Sequence, residues 1–155
     1  MPQSSGPPIA TAPRAPTFTE IGQAVRVLDG EPAKRVRDML NAIFELAAES
    51  EQGAVDWSNP DRWINERLSG DARKLARKVW EGSGKSLNPR YLYGHYKIIN
   101  RLKLLELVGG IYWRGERGRR FLAGDKAILG ELMALRVSKR HASRPTPLTD
   151  TQSEH

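Results

Sequence analysis

The stretch NPRYLYGHYKIINRLKLLELVGGIYWRGERGRRFL, Asn88 to Leu122, decides how this chain is read. Asn88-Pro89 is a helix-start signal, because a capping amide precedes a residue whose fixed φ suits the first turn. Tyr91 or Leu92, Tyr96, Ile99 and Leu102 or Lys103 then recur at helical intervals and predict a helix over 88–103. Two apolar runs follow, Leu105–Val108 and Ile111–Trp113, separated by Gly109-Gly110. A Gly-Gly pair lets both turn positions take positive φ, so the runs predict a tight antiparallel hairpin. A short helix over 116–123 completes the stretch, with Gly124 as its stop.

The chain before this stretch reads as helical. Thr17 and Glu20 match a capping box ahead of Phe18, Ile21, Val25 and Leu28, and Gly30 is a stop. Pro32 suits the first turn of a longer helix over 32–49, with Val36, Met39, Leu40, Ile43, Phe44 and Ala47 as its apolar stripe. Ala54–Trp57 reads as a short strand. Ser58 or Asn59 then caps a helix with Pro60 in its first turn and Trp63, Ile64 and Leu68 as its apolar residues. Ser69 or Asp71 opens another, carrying Leu75, Ala76, Val79 and Trp80 and stopping at Gly82. After the hairpin region a last helix over 125–139 is expected to bury Ile128, Leu129, Leu132 and Met133. The four tryptophans read most simply as packing residues, with Trp113 alternatively out on the hairpin. The expectation is therefore a mainly α fold with a small β-hairpin, a single domain over 17–140. A Pro/Ser-rich leader (1–16) and a polar tail (141–155) are expected to be disordered, since neither buries enough apolar surface to offset its ordering entropy.

Composition narrows the function. The absence of cysteine excludes disulfides and thiolate metal sites and fits a reducing cytoplasm. The N-terminus has no apolar core of a secretory signal, and no run approaches a membrane span. A net charge of +7 favours a polyanionic partner. That charge is concentrated. Between Asn88 and Arg120 stand Arg90, Lys97, Arg101, Lys103, Arg114, Arg117, Arg119 and Arg120 against only Glu106 and Glu116, a net +6. Cations packed so densely fit phosphate contact through counterion release. A solvated helix face and a Glu116–Arg120 pair at i,i+4 explain only part of it.

Chemistry of other kinds is not written in the residues. GSGKS (82–86) lacks the first glycine of a phosphate loop, which would fall at Val79, and the preceding strand. It reads as a turn that brings Lys85 near DNA. His95, His141 and His155 have no ligand spacing, and no Glu-x-Lys of a nuclease signature occurs. Asp56 and Asp61 read as cap and turn residues. No acid, base, nucleophile or metal-ligand set converges, so no catalytic residue, metal or cofactor is expected.

Leu104–Leu122 resembles the winged-helix ending in which a hairpin leads to a Tyr-x-x-x-Glu-x-Gly turn and an apolar pair, here Tyr112, Glu116, Gly118, Phe121 and Leu122. Residues 55–80, VDWSNPDRWINERLSGDARKLARKVW, followed by NPRYLYGHYKIIN, resemble the N-terminal region of some long Mrr-type restriction endonucleases. There a winged helix-turn-helix engages DNA and a separate domain cuts it. The nuclease domain that defines those proteins is missing here. Arg114 stands where such hairpins carry an apolar residue, and Gly115 where Ser or Thr usually caps the next helix.

The resemblance implies a non-catalytic duplex DNA-binding module with a nuclease or other protein subunit as a second partner. Arg90, Asn100 and Arg101 are the expected base contacts, because Arg and Asn pair with guanine and adenine edges in the major groove. Lys85, Lys97, Arg114, Arg117, Arg119 and Arg120, with the Tyr91 hydroxyl, are the expected backbone contacts. His95 and Tyr93 fall among the polar positions of the same helix. Two rival readings fit the same residues: a protein-docking winged helix, and a homodimeric transcriptional regulator paired through the 32–49 or 125–139 helix.

Overall fold

The computed structural model describes residues 16–140, and of 136–140 the backbone alone. In chain order the helices are α1 (Phe18–Leu28), α2 (Ala33–Glu49), α3 (Pro60–Arg67), α4 (Gly70–Gly82) and α5 (Leu92–Leu102). Strands β1 (Leu105–Val108) and β2 (Ile111–Arg114) follow, then α6 (Glu116–Leu122) and α7 (Lys126–Arg140). The fold is mainly helical with one small antiparallel hairpin, as the apolar spacing predicts. The expected tail and all of the expected leader except Pro16 lie outside the described residues. Pro16 itself is buried, its ring 3.9 Å from where a side chain on Gly94 of α5 would begin.

Helix α1 lies at the centre. Its capping box is complete: the Glu20 amide donates to the Thr17 hydroxyl, and the Thr17 amide to the Glu20 carboxylate. Ile21, Ala24, Val25 and Leu28 have no exposure at all, because α1 packs on α4, α5, α6 and β2 together. Burying each large aliphatic side chain contributes about 1.5–3 kcal/mol. Helix α2 packs along α4, held at one end by the buried Glu31. Its carboxylate takes Lys78 of α4 and, at 3.2 Å, Arg35 of α2.

The hairpin pairs Leu105 with Arg114, Glu106 with Trp113, Leu107 with Tyr112 and Val108 with Ile111. Gly109 and Gly110 both take positive φ (61° and 79°), the geometry that a two-residue turn between right-twisted strands requires. The linker between α1 and α2 runs along the far edge of β2. Gly30 donates to the Tyr112 carbonyl (2.6 Å), Tyr112 to the Glu31 carbonyl (2.9 Å) and Ala33 to the Gly110 carbonyl (2.8 Å). The Arg114 amide donates to the Asp29 carboxylate at 2.8 Å. Pro32 bridges to Ile111 with the Tyr112–Glu31 and Ala33–Gly110 bonds on either side of it, so its missing N–H costs the pairing nothing.

Several expectations are corrected. Ala54–Trp57 is not a strand. Asp56 accepts the Ser58 amide and hydroxyl in a side-chain turn, the Ala54 amide closes onto Glu51, and no neighbouring strand is there to pair with. The helix expected over 88–103 begins as a 3₁₀ turn, Pro89–Tyr91, because the Asn88 side chain takes the Arg90 amide; the α-helix starts at Leu92. Met133 is exposed, since Ile128 and Leu132 take the inward face of α7 and Met133 lies about a quarter-turn away. Trp113 is not a core residue: it is 47% exposed on β2.

Candidate nucleic-acid interface

Helix α5 was expected to offer a broad cationic face. Six of its eleven residues are buried instead: Leu92, His95, Tyr96, Ile98, Ile99 and Leu102. The sequence LYGHYKIINRL contains no carboxylate, so what remains outside is a narrow, acid-free stripe. Tyr93, Lys97 and Asn100 are half-exposed and Arg101 is exposed. His95 is not on that stripe. Its ring lies between the Tyr91 carbonyl (3.2 Å) and the Glu20 carboxylate (3.3 Å) and ties α5 to the N-terminus of α1.

The helix hands directly to the hairpin. Lys103 takes a left-handed conformation (φ 57°, ψ 44°) as the C-cap, and the Leu104 amide closes back onto the Ile99 carbonyl. Arg117 of α6 reaches across to donate to the Leu102 carbonyl at 2.8 Å. Arg101, Lys103 and Arg117 thereby meet at the C-terminal end of α5, where the helix dipole favours positive charge. This is possible because α6 crosses very close to the chain at Leu104. A Cβ on Gly118 would fall 2.3 Å from the Leu104 carbonyl oxygen. Glycine at 115 has a similar cause, since the Glu106 side chain fills the space a Cβ would need.

The other cations expected to be free are largely engaged. Arg117 also pairs with Glu131 of α7. Arg120 pairs with Asp125 at 2.8 Å; that hydrogen bond, first among its causes, holds the Asp125 carboxyl below its ordinary range. Arg114 lies 3.9 Å from Asp29, and Arg119 donates to the Arg114 carbonyl. Lys85, at the turn after α4, pairs with Asp61 at 3.2 Å; Trp80 donates to the same carboxylate, and the two hydrogen bonds lower its pKa. Exposed pairs of this kind are worth roughly 0–1 kcal/mol, so a phosphate competes for the same arginines at small cost.

Arg90 faces elsewhere. Its guanidinium stacks over the Trp57 ring at 4.8 Å and near the Tyr91 ring at 5.6 Å, and its buried Nε has no hydrogen-bond partner. Trp57 in turn meets Trp63 edge-on at 5.0 Å, and its carbonyl accepts from both Trp63 and Asn88. Of the expected base contacts, the structure brings Asn100 and Arg101 together on one stripe and places Arg90 over the tryptophan pair.

Behind the stripe lies a buried polar pair. The Tyr96 and Tyr112 hydroxyls are 2.7 Å apart, with ring centroids at 6.1 Å. Burial, and then the hydrogen bond with Tyr96, push the Tyr112 phenol well above its ordinary value; the Arg37 guanidinium of α2 and the Asn100 side chain act in the opposite direction. Sequence reasoning passed over Arg37. Only its seven-residue spacing from Phe44 marks the shared face, and nothing in the sequence says that this face meets α5.

Among the described residues, no group of three or more His, Cys, Asp or Glu side chains is placed to hold a metal ion. No helix there is long and apolar enough to cross a membrane. No protein-family model, curated protein or solved structure matches the chain.

Proposed function

We propose that the chain is a non-catalytic winged-helix module that binds duplex DNA, the recognition part of a restriction or defence system. The observation that carries this reading is the gathering of Arg101, Lys103 and Arg117 at the end of an acid-free α5, directly before the hairpin. In this reading Asn100 and Arg101 meet base edges, and Lys97, Lys103, Arg117 and Arg119 meet phosphates. The hairpin is the wing. Lys85, Arg114 and Arg120 join by exchanging their carboxylate partners for phosphate, and Arg90 supports the start of the helix through Trp57. The Mrr-type likeness of residues 55–100 supports the assignment to a restriction system.

A titration of a labelled random duplex, read by fluorescence anisotropy across a salt series, tests it. Four or more phosphate contacts give a log–log salt slope of about −3.6 or steeper. Absence of binding at low salt refutes the DNA reading. A second reading, protein docking, is favoured by one observation: Leu107, Val108 and Trp113 stand 56%, 59% and 47% exposed on the hairpin.

A further inference from the structure

We infer that the seam between α2 and α5 is part of the DNA-binding face, and that Arg37 of α2 contacts the DNA backbone while Arg101 of α5 meets base edges. The inference rests on the duplex-binding reading and names a second helix in it. The Phe44 ring of α2 meets the Tyr93 ring of α5 edge-on, with centroids 5.3 Å apart. Seven residues before Phe44, about two turns along the same side of α2, Arg37 bears electrostatically on the Tyr112 phenol, as the Asn100 side chain of α5 does. Residue 44 faces residue 93, and two turns along each helix residues 37 and 100 bear on one phenol: the two helices run in opposite directions across a shared groove.

The rims of that groove are cationic and acid-free. The α2 side presents Arg37, Asn41, Phe44 and Ala48, and the α5 side Tyr93, Lys97, Asn100 and Arg101. Neither Arg37 nor Arg101 makes an ion pair or a guanidinium hydrogen bond with any described residue, unlike the arginines of α6. Arg35, two residues away and about 200° round the helix, is turned to α4, where Glu31 and Asp71 receive it. The sequence therefore neutralises the α4 side of α2 and leaves the α5 side charged. Two arginines with no carboxylate partner among the described residues fit a polyanion. The rings argue for the backbone of a duplex over the bases of a single strand. Phe44 meets Tyr93 edge-on, which covers a face of one of the two rings, and the Lys97 ammonium lies 5.3 Å over the Tyr93 ring, so little open aromatic face is left for a stacked base.

The test compares salt slopes of the full chain on a labelled duplex. Each lost phosphate contact reduces the slope by about one. Arg37→Gln is expected to reduce it so, and Arg37→Lys to restore it. Lys74→Gln, on the exposed side of α4, removes the same charge and is expected to leave it unchanged. Thermal melting of each variant separates lost contact from lost fold. Should Arg37→Gln unfold, a photo-reactive residue placed at the exposed Asn41 reads the seam instead, and cross-linking to the duplex is expected. Wild-type binding with a slope unmoved by Arg37→Gln overturns the seam and leaves the duplex reading standing. Tighter binding to a single strand of equal length overturns the proposed occupant. No binding by the wild type at low salt overturns both.

Discussion

Replacing glycine by alanine inside a helix ordinarily stabilises it by roughly 0.5–1 kcal/mol. At Gly118 the opposite sign is expected. The new Cβ would sit 2.3 Å from the Leu104 carbonyl oxygen, and ordinary contact begins at 3.4 Å, so α6 must move about 1.1 Å from Leu104. Leu104 is fully buried, and the obstacle is backbone that cannot rotate away. Overpacking of this kind costs about 1–3 kcal/mol. The displacement also breaks the Arg117 bond to the Leu102 carbonyl, a charged hydrogen bond worth about 1.5–3 kcal/mol. After the propensity gain, a net loss of about 1.5–5.5 kcal/mol is expected. Gly130 in α7 is the internal control, because nothing lies within 4 Å of its would-be Cβ. Gly130→Ala should raise the stability by up to about 1 kcal/mol. Urea unfolding followed by far-UV circular dichroism measures both. A Gly118→Ala midpoint equal to or above the wild type's would refute the close approach of α6 to Leu104, and with it the gathering of cations at the end of α5.

Three further outcomes follow from other parts of the fold. Glu31→Gln is expected to cost about 2 kcal/mol in chemical unfolding, because a buried carboxylate serves two cations that are themselves half in water; adding Lys78→Met should recover part of the loss, and strict additivity of the two changes would refute the coupling. The raised pKa of Tyr112 makes the neutral phenol the folded form, so its contribution is complete below the ordinary value of 10.0 and is lost as the pH rises beyond it. Absorbance at 295 nm should accordingly show Tyr112 ionising only as the fold is lost, and all four tyrosines titrating together near pH 10.0 in an intact fold would contradict its burial. Arg90→Ala should cost about 1 kcal/mol through the lost stacking on Trp57 and change the tryptophan emission, while an unaltered spectrum would show that the guanidinium does not rest on that ring.

Helix spacing, caps and the Gly-Gly turn were legible in the sequence because they are local: Thr17 with Glu20, Pro60 after Asn59, and Gly109-Gly110 each act within a few residues. The candidate site was less legible, for two physical reasons. Counting charge along a segment assigned Arg114, Arg117 and Arg120 to the solvent, yet Asp29, Glu131 and Asp125 reach them from outside that segment or from its far end. Apolar periodicity also identifies one buried stripe and no second one. It could not show that α5 is enclosed on most sides, that His95 belongs to the inside, or that Arg37 of a distant helix borders the same groove. Trp113 and the segment 54–57 failed for a related reason: strand-forming and core-forming residues look alike until a pairing edge is known.

The strand-like linker between α1 and α2 has a consequence in time. Its hydrogen bonds to the hairpin join residues up to 85 positions apart. A ribosome adding about 5–20 residues per second needs on the order of ten seconds to span that interval. Throughout it, Gly30 and Ala33 have only water to satisfy them, and the apolar face of α1 waits for α5 and β2. The α2–α4 hairpin of helices closes over a far shorter loop and is complete while the rest is still being made. Docking of α1 between α5 and the hairpin is therefore the late, slow closure of this fold. A chain that stops short of Ile111 can lay α1 against α4 and α5, but leaves the side of α1 that meets β2 and α6 uncovered and the linker's backbone groups unpaired.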